Sequence, residues 1–289
     1  AWTGGNFSTG NVTLSGNLSI SNWSSGTLTV GVITSTSGQV LIDNKTAGNT
    51  NIISLNLTNG NFQLTNSSGW TMSINNTYTS SIVGGNFLIE NSPVNFSMGF
   101  SHSLTVNGNF SILNGATTFT NNSTLSVRGN FTLNSACTFN QSEYVIFTAN
   151  TLGKTITSAG KQFANVRFNG SGGEWILQDN FKVTGTTEHY TGIFRSNGKS
   201  VDYGVVFNGD DGGSVKTLNY TGTDTVRVQY QYRLNTNAST ILTIGGAVLL
   251  LQTSIATEMV LEGGGKTFGT LVINQLNNST SANYILFQD

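Results

Sequence analysis

The sequence predicts an all-β protein: a parallel β-solenoid, or β-helix, with coils of about 21–25 residues. Three observations carry that expectation. Apolar and polar residues alternate with a period of two, the tripeptide Gly-Asn-Phe keeps returning, and a single proline interrupts the chain.

The alternation defines the strands. In "GNFSIL" Phe110 and Ile112 share one face, and in "GNFTLNS" Phe131 and Leu133 do the same. Earlier, "NVTLSGNLSI" places Val12, Leu14, Leu18 and Ile20 in register, and "GNFQLT" adds Phe62 and Leu64. Short alternating runs rich in Thr, Val, Ile and Phe, closed by Asn-Gly and Ser-Gly turns, are strands. No long amphipathic helix pattern is present.

The longer period stacks them. Gly-Asn-Phe begins at Gly5, Gly60, Gly85, Gly108 and Gly129, with Gly-Asn-Leu at Gly16. The last four glycines are separated by 25, 23 and 21 residues. That is too short for a propeller blade of about 40–45 residues and fits one solenoid coil. A β-sandwich would also satisfy short strands with turns at about 8–12 residue intervals. The one proline, Pro93, lies in a turn, so backbone N–H groups elsewhere stay free to pair.

A second repeat follows. "GKQFANVRFNGSGGEWILQD" (Gly160–Asp179) returns as "GKTFGTLVINQLNNSTSANYILFQD" (Gly265–Asp289). With "LQDNFKVTG" (Leu177–Gly185) and "GIFRSNGKSV" (Gly192–Val201), it resembles the extracellular β-solenoid repeats of large secreted and surface proteins of bacteria and archaea. The resemblance covers roughly residues 105–205 and the last 25. It implies an architecture and an extracellular setting, not an activity. Residues 202–255 fit the pattern poorly, which leaves an irregular β region or a β-sandwich-like insert open there. The expected domains are a solenoid at 1–201, that region at 202–255, and a further repeat at 256–289.

Composition narrows the function. Only 9% of the 289 residues are charged and the net charge is −1, against a usual charged share of roughly 25%. No basic patch is available for nucleic acid. The most apolar run, from Ile241, is broken by Thr, Gly, Gln and Ser, short of the roughly 20 apolar residues of a membrane span. No basic-then-apolar leader precedes Ala1, so the expectation is a chain from which any secretion signal has been removed. The single cysteine, Cys137, shares parity with Phe139 and reads as a buried small hydrophobe.

Asn-x-Ser/Thr recurs at 19 positions: Asn6, Asn11, Asn17, Asn22, Asn44, Asn56, Asn66, Asn75, Asn95, Asn109, Asn121, Asn122, Asn130, Asn140, Asn169, Asn219, Asn237, Asn277 and Asn278. With 37 Asn and 73 Ser plus Thr, composition alone places about nine. The sequon itself has period two, so on a strand its Asn and Ser/Thr face solvent while an apolar middle residue enters the core. Asn109 and Asn130 are expected exposed on strands, beside buried Phe110 and Phe131. The excess predicts covalent N-glycans that replace the missing surface charge, and an extracellular location.

Chemistry is sparse. Three Gly-Lys-Ser/Thr phrases, at Gly153, Gly198 and Gly265, lack the earlier glycine of a phosphate loop and read as turns. His102 and His189 with one cysteine support no zinc site. "EHY" (Glu188–Tyr190) reads as an exposed cross-strand surface, and Asp210–Asp211 as an Asp-Gly turn rather than a calcium site. Before residue 126 the only charges are Asp43, Lys45 and Glu90, too few for a polysaccharide-cleaving site. No cofactor, metal or catalytic residue is expected. Trp2, Trp23, Trp70 and Trp175 could stack on sugars, though Trp175 alternates with core positions.

The expectation is therefore a non-enzymatic structural subunit of a glycosylated extracellular filament, sheath or surface layer. Ala1, Trp2, Phe7 and Val12 of one copy would continue the β ladder beyond Tyr284, Ile285, Leu286 and Phe287 of the next, giving a head-to-tail homopolymer. The alternative is a carbohydrate-binding adhesin or a stalk fragment of a larger surface protein.

Overall fold

The structure, a computed structural model, describes residues 5–74, 80–209, 214–234, 240–253, 259–275 and 285–288. Among these residues there is no helix, and the strands stack into parallel β-solenoid, about 11 coils in all. The chain divides into two compact units, Ala1–Val145 and Ile146–Asp289.

In the first unit a coil has three sides. Thr71–Ile74, Ser80–Val83 and Phe87–Glu90 make one coil; Asn95–Met98, Ser103–Val106 and Phe110–Leu113 make the next. Their strands pair in parallel, Thr71 with Asn95, Ser80 with Ser103 and Phe87 with Phe110. A parallel pair needs a long crossover, usually a helix. Here the other two sides of the coil supply it.

The alternation puts like residues on top of each other inside. Phe62, Phe87, Phe110 and Phe131 are fully buried in one column. Their rings stack at centroid distances of 4.9, 5.1 and 5.3 Å. Phe96, Phe119 and Phe139 form a second column and meet the first edge-on, as Phe110 and Phe119 do at 5.3 Å and 82°. Each buried ring contributes about 1.5–3 kcal/mol of transfer free energy, and each good aromatic pair about 0.5–1.5 kcal/mol more. Cys137 is buried as well.

Asparagine turns the third corner. Asn22, Asn44, Asn66, Asn91 and Asn114 occupy that corner on successive coils with φ between 48° and 57°. This left-handed conformation is one that Asn tolerates better than other side-chain-bearing residues.

The second unit repeats the plan with coils of more uneven length, from 20 residues between Phe181 and Val201 to 29 between Gln231 and Val260. Thr186–Arg195 pairs with Val206–Gly209 and Lys216–Asn219, and these pair with Gln231–Leu234 and Thr240–Thr243. Val201–Asp202, Thr225–Val228, Val248–Thr253 and Thr270–Gln275 form a further parallel column. The described part of 202–255 therefore continues the ladder, and the sandwich-like insert left open by the sequence is not what stands there. Its pattern is hard to read because partners such as Gln231 and Val260 lie 29 residues apart, and no Gly-Asn-Phe marks the coils.

Candidate functional site

The most unusual surface is the face of the first coil. Phe7–Thr9, Val12–Leu14 and Leu18–Ser21 pair on one side only, with Leu28–Ser35 and Val40–Asp43. Among the described residues no strand covers their other edge. Phe7 is 41% exposed, and Val12, Leu18 and Ile20 are half-buried. Their register partners one coil on, Leu28, Ile33, Val40 and Ile42, are at most 3% exposed. The difference is the missing neighbour. Between Phe7, Val12, Leu18, Ile20, Trp23 and Leu28 lies an apolar cleft of about 350 Å³, and no charged residue precedes Asp43.

The last described coil shows the same thinning. Leu249 and Leu251 are fully buried, while their partners Leu271 and Ile273 are half-buried. Ile285–Gln288 pairs in parallel with Met259–Glu262. Of the residues expected to make an assembly interface, Phe7 and Val12 are brought together on one face. The backbone of Ile285, Leu286 and Phe287 lies in a strand with one partner among the described residues, and their side chains are outside the described set. Ala1, Trp2 and Tyr284 also lie outside the described residues, as do Asn75, Asp210, Asp211, Asn237, Asn277 and Asn278.

The Gly-Asn-Phe phrase is a stacking device. The Oδ1 of Asn61 accepts the backbone N–H of Asn86, that of Asn86 accepts the N–H of Asn109, and that of Asn109 accepts the N–H of Asn130, at 2.7–2.8 Å. Asn6, Asn11 and Asn17 bind Thr27, Val32 and Gln39 likewise, and Asn165 binds Thr186. The glycine makes room for the carboxamide. A Cβ on Gly108 or Gly129 would stand 2.5 Å from the Oδ1 of the asparagine one coil earlier. Phe then enters the core.

This corrects the expected geometry of the sequons. Asn109 and Asn130 sit one residue before their strands, half-buried, with the Asn109 carboxamide engaged. Asn121 is fully buried, because it takes the inward position that Met98 holds one coil earlier. Its parity with Phe119 was the available signal. Asn22, Asn44 and Asn66 are exposed at the left-handed corner; Asn122 and Asn219 are half-buried. Asn56, Asn95, Asn140 and Asn169 are exposed within strands.

Several polar groups are buried. Lys45 is wholly buried, with its ammonium 5.7 Å from the Trp23 ring centre and 4.8 Å from that of Trp70. It donates to the carbonyl of Ala47, and burial brings its pKa down to about 8. Ser81 and His102 share a buried hydrogen bond of 2.8 Å. Ser81 Oγ also accepts from the Leu55 N–H. His189 faces inward against Phe168 and Trp175 rather than lying on an exposed surface. Burial first, then the nearby Lys216 charge, lowers its pKa to about 3. The hydroxyls of Tyr203 and Tyr220 pair at 2.8 Å, and burial raises both well above the ordinary tyrosine value.

Carboxylates on the second unit are tied across coils, Glu188 to Arg167, Glu174 to Arg195 and Asp202 to Arg227. Hydrogen bonds from Arg195 and from the Gly153 N–H hold Glu174 below the usual carboxylate range against its desolvation. Trp23, Trp70 and Trp175 are at most 5% exposed, so none offers a face for sugar stacking. Gly153, Gly198 and Gly265 have φ of 75°, 73° and 66° and are turn residues. No group of three potential metal-binding side chains converges among the described residues. No helix among them is long and apolar enough to cross a membrane.

Comparison with protein-family models, with curated proteins and with solved structures finds no match to the chain.

Proposed function

We propose that the chain is a structural subunit of a glycosylated extracellular filament, sheath or surface layer, whose coils stack head-to-tail on those of the next copy. The observation that carries this reading is the first coil, which no described strand covers, with Phe7, Val12, Leu18 and Ile20 around an uncharged apolar cleft and three strands that pair on one side only among the described residues. An occupant must satisfy both the backbone ladder and the apolar patch. The chain's own coils do both, in parallel and in register, and Ile285–Gln288 pairs in parallel with Met259–Glu262 in the same way. The Arg-bound carboxylates and buried tryptophans favour a scaffold over an enzyme or a sugar-binding adhesin.

Sedimentation velocity and electron microscopy of the purified chain over a range of concentration test it. Linear oligomers that grow with concentration, and that Phe7→Asp abolishes while leaving the circular dichroism unchanged, are expected. A chain that stays monomeric throughout overturns head-to-tail assembly and favours a stalk in which a further coil of a longer chain covers the face.

A further inference from the structure

Resting on the glycosylated reading above, we infer that only four of the described sequons are N-glycan acceptors, Asn56, Asn95, Asn140 and Asn169, and that the others hold asparagine for the coil. The chain carries its own controls. Asn61 and Asn86 occupy the stacking column, and Asn165 makes the same kind of bond to the next coil in another strand column, yet Gln63, Leu88 and Arg167 stand where a sequon needs Ser or Thr. That column thus selects asparagine without reference to glycosylation. Its sequons, as at Asn17 and Asn109, arise where the following outward strand position happens to be Ser.

The corner column tells the same story. Asn91 and Asn114 share the left-handed conformation of Asn22, Asn44 and Asn66 and begin no sequon. In this column the amide nitrogen is already a donor: Asn44 Nδ2 to Asn22 Oδ1 at 2.6 Å, and Asn66 Nδ2 to Asp43 Oδ1 at 3.0 Å. Neighbouring members are also one coil apart, about 4.8 Å, too close for a sugar on each. Within the stacking column the carboxamide of Asn109 lies so near Gly129 that a methyl group there would clash.

The four remaining asparagines differ on each count. They are exposed and lie inside strands, and their carboxamides make no hydrogen bond to described residues. Neighbours on the same strand point inward, as Leu55 and Leu57 do around Asn56 and Val94 and Phe96 around Asn95. The donor would be an oligosaccharide activated as a glycosyl ester of a lipid-linked phosphate or pyrophosphate. The Asn Nδ2–C1 bond forms as the C1–O(phosphate) bond breaks, the lipid phosphate leaves, and the Nδ2 proton passes to the transferase's base.

Expression of the full chain in a host whose secretory pathway carries an N-oligosaccharyltransferase, followed by glycopeptide mass mapping, tests the assignment. Glycan on Asn56, Asn95, Asn140 and Asn169 is expected, with bare Asn11, Asn22, Asn44, Asn66, Asn109 and Asn121. Thr58→Ala, Ser97→Ala, Ser142→Ala and Ser171→Ala should each remove one glycan from the intact mass. Ser111→Ala, which deletes the Asn109 sequon and keeps its carboxamide, should change the mass by the substitution alone. Glycan on Asn109 or on two successive corner asparagines of folded protein overturns the assignment and leaves the glycoprotein reading standing. A secreted chain bare at every site overturns both, while the self-association measurement stands apart.

Discussion

Phe110 has a stacked neighbour on each side, Phe87 at 5.1 Å and Phe131 at 5.3 Å, and Phe119 edge-on. The rings above and below are held by their own coils, so a truncated side chain leaves a cavity that cannot close. Phe110→Ala is expected to cost about 3–5 kcal/mol in urea unfolding. Two buried cationic groups contribute to the pH response of folding. Lys45 falls from 10.5 to about 8 on folding, so the unfolded chain holds the extra proton between those values. Stability from this group is present above pH 10.5 and is lost as pH falls to about 8. His189 falls from 6.5 to about 3, so its contribution, present above 6.5, is lost as pH falls toward 3, at about 1.4 kcal/mol per unit. Urea midpoints should decline in both windows, and Lys45→Met and His189→Leu should each remove its own. Neither burial was legible one residue at a time. Lys45 lies in a turn with no alternation to place it, and His189 was read for its charged neighbour Glu188 rather than for its parity with Thr187, which also faces inward.

At the scale of the coil, the unit of repetition is Gly-Asn-Phe together with the strand it opens. Asn86→Ala takes the acceptor from the Asn109 N–H and should cost about 1 kcal/mol, whereas Ser111→Ala, on the outer face, should stay within about 0.5 kcal/mol. Gly108→Ala forces a methyl against the Asn86 carboxamide and the Gly85 backbone, at about 1–3 kcal/mol. Chemical denaturation of the three variants separates these outcomes. The sequence made the strands and inward phenylalanines plain, because period two and a fixed spacing survive in one dimension. It concealed why asparagine recurs. The hydrogen bond joins residues 21 to 25 positions apart, and one chain offers no local trace of such a bond.

For the molecule as a whole, sparse charge means that ordinary electrolytes have little to act on. Three cross-coil ion pairs involve partly exposed arginines, and surface pairs contribute little once screened. Raising sodium chloride from about 0.01 to 1 M should move stability by less than about 1 kcal/mol by urea titration. Function was less legible than architecture. Phe7 and Val12 were legible as members of the coil pattern, whereas the letters Asn-x-Ser/Thr gave no sign of which asparagines bond the next coil through their carboxamides.

The carboxamide ladders have a direction. Each Oδ1 reaches from an earlier coil to a backbone N–H in the following one, from Asn6 to Thr27 and from Asn109 to Asn130, and again from Asn165 to Thr186 in the second unit. During synthesis the acceptor therefore leaves the ribosome before the donor it will bind. Where such an asparagine stands, the finished coil presents a group that registers the next, so winding there can follow translation without waiting for distant sequence.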